Sequence, residues 1–96
     1  TAYVWKKIGQ TIAKFHHHQI YLHDLHIHNI MLDIENEVWL IDFDKCQIRQ
    51  GSNWNNSNIA RLKRSFEKEK RLHNIYWQLA DWQILISAYN EAAMAN

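Results

Sequence analysis

Asp24, Asn29, Asp42 and Asp44 are the side chains in this chain whose types and spacing point to chemistry. They lie in the stretch His23 to Asp44, HDLHIHNIMLDIENEVWLIDFD. Asp24 and Asn29 flank a polar loop. Two short apolar runs follow, Ile30-Met31-Leu32 and Val38-Trp39-Leu40-Ile41, separated by Ile34-Glu35-Asn36-Glu37. Runs of this length and composition predict a hairpin of two strands. A hairpin returns the chain to its starting edge, so Asp24, Asn29 and Asp42 are expected to converge there. Two carboxylates and an amide oxygen form a hard-oxygen set. Such a set suits Mg²⁺, which takes one or two protein carboxylates and leaves the rest of its octahedron to water and phosphate oxygens. An aspartate in a polar loop is ordinarily a turn or cap residue. The asparagine five residues on and the Asp42-Phe43-Asp44 cluster beyond the hairpin favour chemistry over that reading.

The same residues carry a resemblance. D-L-x-x-x-N, a hairpin and then D-F-x resembles the catalytic and magnesium-binding loops of the protein-kinase-like fold. The finer pattern runs through three blocks: D-L-x-x-H-N-I-x-L-D at Asp24 to Asp33, W-L-I-D-F-D-K-C at Trp39 to Cys46, and N-x-x-R-L-x-R-S-x-x-K at Asn58 to Lys68. In that order they are similar to the lipopolysaccharide kinases that phosphorylate 3-deoxy-D-manno-octulosonic acid (Kdo) on a lipid A precursor. The resemblance implies ATP and Mg²⁺ as cofactors, with Asp24 as the catalytic base and Asn29 and Asp42 as the metal ligands. His26, two residues after Asp24, and Arg61 and Arg64 are candidate phosphate or substrate contacts. The family's acceptor would be a Kdo-lipid A glycolipid, met at the cytoplasmic face of the inner membrane by a peripheral protein.

Two departures from ordinary protein kinases stand out. The histidine found two residues before the catalytic aspartate is Leu22 here, with His23 adjacent instead. Asp44 replaces a glycine whose positive φ permits loop flips, so a fixed loop is expected, as suits a lipid-sugar kinase. His28 is read as a structural hydrogen-bonding residue, and Phe43 as an apolar anchor.

Ninety-six residues permit one small domain. Its expected class is α+β and mostly helical: the large-lobe part of a kinase-like fold, built as helix, catalytic loop, two-stranded hairpin and two further helices. With only Gly9 and Gly51, the chain has no Gly-rich phosphate-covering loop. The chain is expected to be a C-terminal piece, half of a larger enzyme, or the product of a truncated reading frame. The upstream lobe with its nucleotide-binding loop and lysine is expected to be missing or supplied by a partner chain, and negligible turnover is expected of these residues alone. A formal charge of +1 gives no field that would attract nucleic acid. No run is long enough to cross a bilayer, and the single Cys46 excludes an internal disulfide.

The flanking elements read as helices. From Ala2 to His18, Val4, Ile8, Ile12 and Phe15 share a face, with Trp5 at its flank and Lys6, Lys7, Gln10 and Lys14 opposite. This helix is expected to lie under the catalytic loop. Gln47 to Ser57 reads as a loop, with Trp54 packed on the core. From Asn58 to Leu72, Ile59, Leu62 and Phe66 form an apolar stripe opposite Arg61, Arg64, Lys68 and Arg71. Six basic residues meet two acidic ones between Arg61 and Arg71. That face is either solvated or turned to anionic lipid headgroups. Asn74 is expected to cap a last helix, Ile75 to Ala93, with one stripe of Ile75, Leu79, Trp82, Ile86 and Tyr89 and a second of Trp77, Ala80 and Ile84.

Three other readings compete with the kinase. The chain is an inert, truncated or partner-binding helical module; it belongs to a phosphotransferase with another acceptor; or the histidines at 16–18, 23, 26 and 28 form a zinc module. The last lacks any H-x-x-x-H or paired-cysteine spacing.

Overall fold

The computed structural model describes residues 2–22, 25, 30–33, 35, 37–40, 46–48, 50, 51, 53–73 and 77–95. Three helices and four short strands follow in the order α1 (Ala2–His17), β1 (Ile20–Leu22), β2 (Ile30–Leu32), β3 (Val38–Leu40), β4 (Cys46–Ile48), α2 (Asn55–His73) and α3 (Leu79–Ala95). The α+β, mostly helical class expected from the sequence is what these elements form.

α1 buries Ile8, Gly9, Ile12, Ala13 and His16, and it packs chiefly on α3. It stops where Gln19 adopts a left-handed backbone with φ 59°. The His18 N–H then donates to the Lys14 and Phe15 carbonyls (3.3 and 3.1 Å), and the Gln19 N–H to His16 O (2.9 Å). These bonds satisfy the last carbonyls of the helix. The chain reverses at once into β1, and Leu22 returns beneath the helices, 5 % exposed.

Among the described residues, Ile12, Leu62, Leu85 and Asn58 are the most completely buried side chains. Around them pack Ile8, Leu22, Leu25, Ile59, Phe66, Trp77, Trp82 and Tyr89. Trp54 is also buried, as the sequence predicts. The α2 stripe of Ile59, Leu62 and Phe66 faces inward, and Arg61, Arg64, Lys68 and Arg71 are exposed.

The hairpin is present: β2 and β3 pair antiparallel, with Ile30 opposite Leu40, Met31 opposite Trp39 and Leu32 opposite Val38. Asp33 closes its turn. Its Oδ1 accepts the Glu35 and Glu37 N–H groups (2.8 and 3.0 Å), and its Oδ2 accepts the Trp39 indole N–H (2.9 Å). Trp39 and two backbone N–H groups hold the Asp33 carboxyl below the usual carboxylate range. This last residue of the first motif block is therefore a turn organiser. Asp33→Ala should speed amide exchange at Glu35 and Glu37 and leave the α1 and α3 amides unchanged, as hydrogen-exchange NMR would show.

Three expectations are corrected. The stretch Gln47 to Ser57 is not wholly loop. Cys46–Ile48 forms β4, pairing with β1 as Ile20 opposite Ile48 and Leu22 opposite Cys46, and α2 already begins at Asn55. Between them Gly51 takes φ 80°, open to glycine. The last helix begins at Leu79, four residues later than predicted. Trp77 is buried, and its indole N–H donates to Phe66 O (2.7 Å), which directs the chain back onto α2 before α3 can start. Asp81 accepts the Gln78 N–H (2.9 Å) and caps the new start. In consequence α3 does not bury two stripes. Trp82, Leu85, Ala88 and Tyr89 face the core, Leu79 is 58 % exposed and Ala80 is exposed.

Candidate active site

Asp24, Asn29 and Asp42 lie outside the described residues, as do His23, His26, His28, Phe43 and Asp44. The elements that bound them are described. Residues 23–29 join β1 to β2, and residues 41–45 join β3 to β4. The first connector leaves from Leu22, and the second arrives at Cys46, its cross-strand partner. The first arrives at Ile30, and the second leaves from Leu40, again its partner. Both candidate loops are thus strung between the same two paired strand ends. This double pairing depends on β4, which the sequence reading missed. Three residues of β4 in a polar context are too few for a period-two pattern to be visible.

The base of the first connector is held firmly. Leu25 is buried, at 2 % exposure, and its N–H donates to Leu22 O (3.2 Å), so both flanks of His23 and Asp24 are fastened. Asn58, in the first turns of α2, clamps the same leucine. Its Oδ1 accepts the Leu22 N–H (3.2 Å), and its Nδ2 donates to Leu22 O (2.8 Å). One carboxamide thereby pairs with both backbone groups of a residue, as a neighbouring strand would. Leu22 occupies the position where protein kinases carry a histidine; here its side chain is core, and its backbone is what the fold grips.

Asn58 is in turn held by His16. The amide orientation follows from its two backbone partners, so Oδ1 is the atom facing His16 Nε2 at 2.9 Å. An acceptor there requires Nε2 to carry the proton. Neutral His16 then accepts the Tyr89 hydroxyl at Nδ1, 2.7 Å away. Edge contacts from Trp54 and Tyr89, with ring centroids 5.1 and 5.5 Å off, enclose the imidazole. Desolvation lowers the His16 pKa, against a smaller raising effect of the Asn58 hydrogen bond, and burial raises that of Tyr89.

A depressed base in the folded state stabilises the fold fully above the unfolded imidazole value of about 6.5. The contribution is lost as pH falls from there through the lowered folded value, because the unfolded chain takes up the proton first. Thermal unfolding measured between pH 7 and 5 should show the midpoint falling, and His16→Gln should flatten that slope.

Sequence reasoning read His16 as the first of three histidines leaving a helix and Asn58 as a motif position. The available signal was a polar residue on each apolar face: His16 follows Ile12 by four, and Asn58 precedes Leu62 by four. With both His16 ring nitrogens engaged, this histidine is not available for the zinc reading. No group of three His, Cys, Asp or Glu able to hold a metal occurs among the described residues.

Arg61 follows Asn58 by one helical turn, and Arg64 by nearly two. A groove of about 620 Å³ runs between α1, β1 and β3, lined by Lys7, Lys14, His18, Ile20, Val38 and Trp39, with Glu37 bridged to Lys7 at 3.8 Å. Among the described residues that line it, none is one singled out for chemistry. No helix of the described residues is long and apolar enough to cross a membrane.

The three helices and the doubly paired ribbons bounding the loops are consistent with a piece of a kinase-like phosphotransferase. The chain belongs to the lipopolysaccharide kinase (Kdo/WaaP) family, whose model matches residues 1–89. The match is wider than the three motif blocks and takes in α1 and most of α3. Three relatives are named 3-deoxy-D-manno-octulosonic acid kinase. Those of Photobacterium profundum and Vibrio cholerae are 45 % identical over 87 residues and 46 % identical over 88. That of Haemophilus influenzae is 46 % identical over 90 residues. In each case the match takes in just over nine tenths of this chain, which spans about 37 % of the relative's length.

Proposed function

We propose that this chain is the catalytic-loop portion of an ATP-dependent Kdo kinase acting on a lipid A precursor. One observation carries the reading: the stretches holding Asp24, Asn29 and Asp42 are strung between the same two pairs of strand ends, β1 with β4 and β2 with β3. That topology gives the stretches holding three residues, spread over eighteen positions of sequence, common anchors.

In this reading Asp24 orients the attacking Kdo hydroxyl and accepts its proton as the bond to phosphorus forms. Asn29 and Asp42 are the residues that would hold Mg²⁺, since amide and carboxylate oxygens match its preference for hard ligands. When bound, Mg²⁺ neutralises charge on the transferred phosphates. His26 and Arg61 supply positive or hydrogen-bonding contacts to phosphate or substrate, with Arg64 a turn beyond. The exposed basic face of α2 favours the anionic glycolipid and a peripheral place at the cytoplasmic face of the inner membrane. The lobe that covers the nucleotide is contributed from outside these residues.

The deciding experiment is phosphoryl transfer by the full-length enzyme that carries this segment, with [γ-³²P]ATP offered against a Kdo-bearing lipid A precursor, an aminoglycoside and a protein acceptor. Labelling of the Kdo lipid alone supports the reading. Labelling of either other acceptor in its place replaces it with a different phosphotransferase.

A further inference from the structure

Three helices reach the backbone of one residue at the base of the candidate loop. The path is Tyr89 on α3, His16 on α1, Asn58 on α2 and Leu22 at the end of β1, linked at 2.7, 2.9 and 2.8 Å. All four are buried: His16 and Leu22 are 5 % exposed, Asn58 1 % and Tyr89 6 %. A buried polar chain costs stability unless every member is satisfied. A leucine or phenylalanine at position 58 or 16 would meet the needs of packing alone, so the hydrogen bonds ask for another explanation.

The polarity of the chain supplies one. Asn58 holds Leu22 only with Oδ1 toward the backbone N–H and Nδ2 toward the carbonyl. If the carboxamide turned over, its NH₂ would face both the Leu22 N–H and His16 Nε2–H. The His16 Nε2–H, the tautomer that the Asn58 Oδ1 requires, adds to the cost of that reversal, and the Tyr89 hydroxyl, able to donate or accept, then donates to Nδ1. A hydrogen bond from α1 thus helps to hold an amide on α2, and that amide grips the backbone two residues ahead of Asp24.

We propose that His16 is a positioning residue of this site, acting through Asn58 on Leu22 to fix the loop that presents Asp24. The proposal rests on the kinase reading of Asp24. His16 touches neither substrate nor nucleotide; its effect is on where the base stands. Displacement of a catalytic group by about 1 Å can reduce rate by about 100-fold without altering ground-state binding.

The test compares wild type, His16→Phe, His16→Gln and Asp24→Asn in the full-length enzyme, with Mg-ATP and a Kdo-bearing lipid A precursor. Phenylalanine keeps the ring and removes both hydrogen bonds. Glutamine returns an N–H donor toward Asn58. The expected result for His16→Phe is a kcat lowered about 10- to 100-fold with KM for both substrates within about twofold of wild type. His16→Gln should recover most of that loss. A folded His16→Phe enzyme with unchanged kcat would overturn the proposal, as would a glutamine variant no better than phenylalanine.

Should His16→Phe fail to fold, the glutamine variant and Leu22 amide exchange decide. Protection of Leu22 in wild type that persists in His16→Gln supports the device, and an unprotected Leu22 in wild type removes it. Full activity of Asp24→Asn is a different outcome: it removes Asp24 as the base, and the Leu22 exchange data still decide whether His16 acts on that backbone.

Discussion

Replacing Asp24 with asparagine is expected to lower kcat for phosphoryl transfer by about 10²- to 10⁴-fold, the range over which a positioned proton acceptor accelerates such steps. Asparagine matches aspartate in size and can still hydrogen bond to an attacking hydroxyl, but it cannot take up a proton. The substitution therefore separates chemistry from shape. KM for ATP should stay within a few-fold, because in the proposed reading Asp24 meets the acceptor hydroxyl and not the nucleotide. Asp42→Asn should behave differently, raising the Mg²⁺ concentration needed for half-maximal rate, since in the proposed reading it removes charge from a residue that would hold the ion. The measurement is a steady-state assay of the full-length enzyme with Mg²⁺ varied at fixed ATP. An Asp24→Asn enzyme within tenfold of wild type would mean that another group, or water, takes the proton.

The largest stability effect should come from Gly9→Ala. Gly9 lies where α1 crosses α3, and a methyl group there would press on the Leu85 carbonyl oxygen, with Tyr89 N only 3.0 Å away. Both are backbone atoms of a helix, so no side chain can swing aside. The helices would have to separate, and Ile8, Ile12 and Leu85 meet in the core beside this crossing. Alanine is the better helix former by about 1 kcal/mol, yet overpacking typically costs about 1–3 kcal/mol and occasionally more. The net loss should be about 2 kcal/mol or more, a midpoint lower by roughly 10 °C or more in a domain of this size. Because Tyr89 lies on the displaced face, the bond to His16 should lengthen too, so loss of Leu22 amide protection is expected alongside the lower midpoint. An unchanged midpoint in thermal unfolding by circular dichroism would show that the two helices have freedom to part.

Much of the molecule was visible before its coordinates. The α1 stripe, the hairpin and the inward face of α2 follow from repeating apolar positions, because local periodicity is enough to say which side of an element faces a core. The family was legible because three separated blocks, at Asp24 to Asp33, Trp39 to Cys46 and Asn58 to Lys68, stand in the order that the resemblance requires. Where the sequence misled, the deciding interaction was long-range. Ile75 to Ala80 has helical composition, yet Trp77 is drawn to a carbonyl on α2, and α3 starts only at Leu79.

The chain by itself determined its family, its class and the residue types available for phosphoryl transfer, since these depend on order and local pattern. Only the tertiary structure decided that Cys46–Ile48 pairs with β1, that Gly9 is a contact point between helices, and that His16 and Asn58 grip Leu22. Those features join residues 24 to 80 positions apart. Hydrogen bonds and close approach at such separations depend on how the helices pack, and no local pattern encodes that.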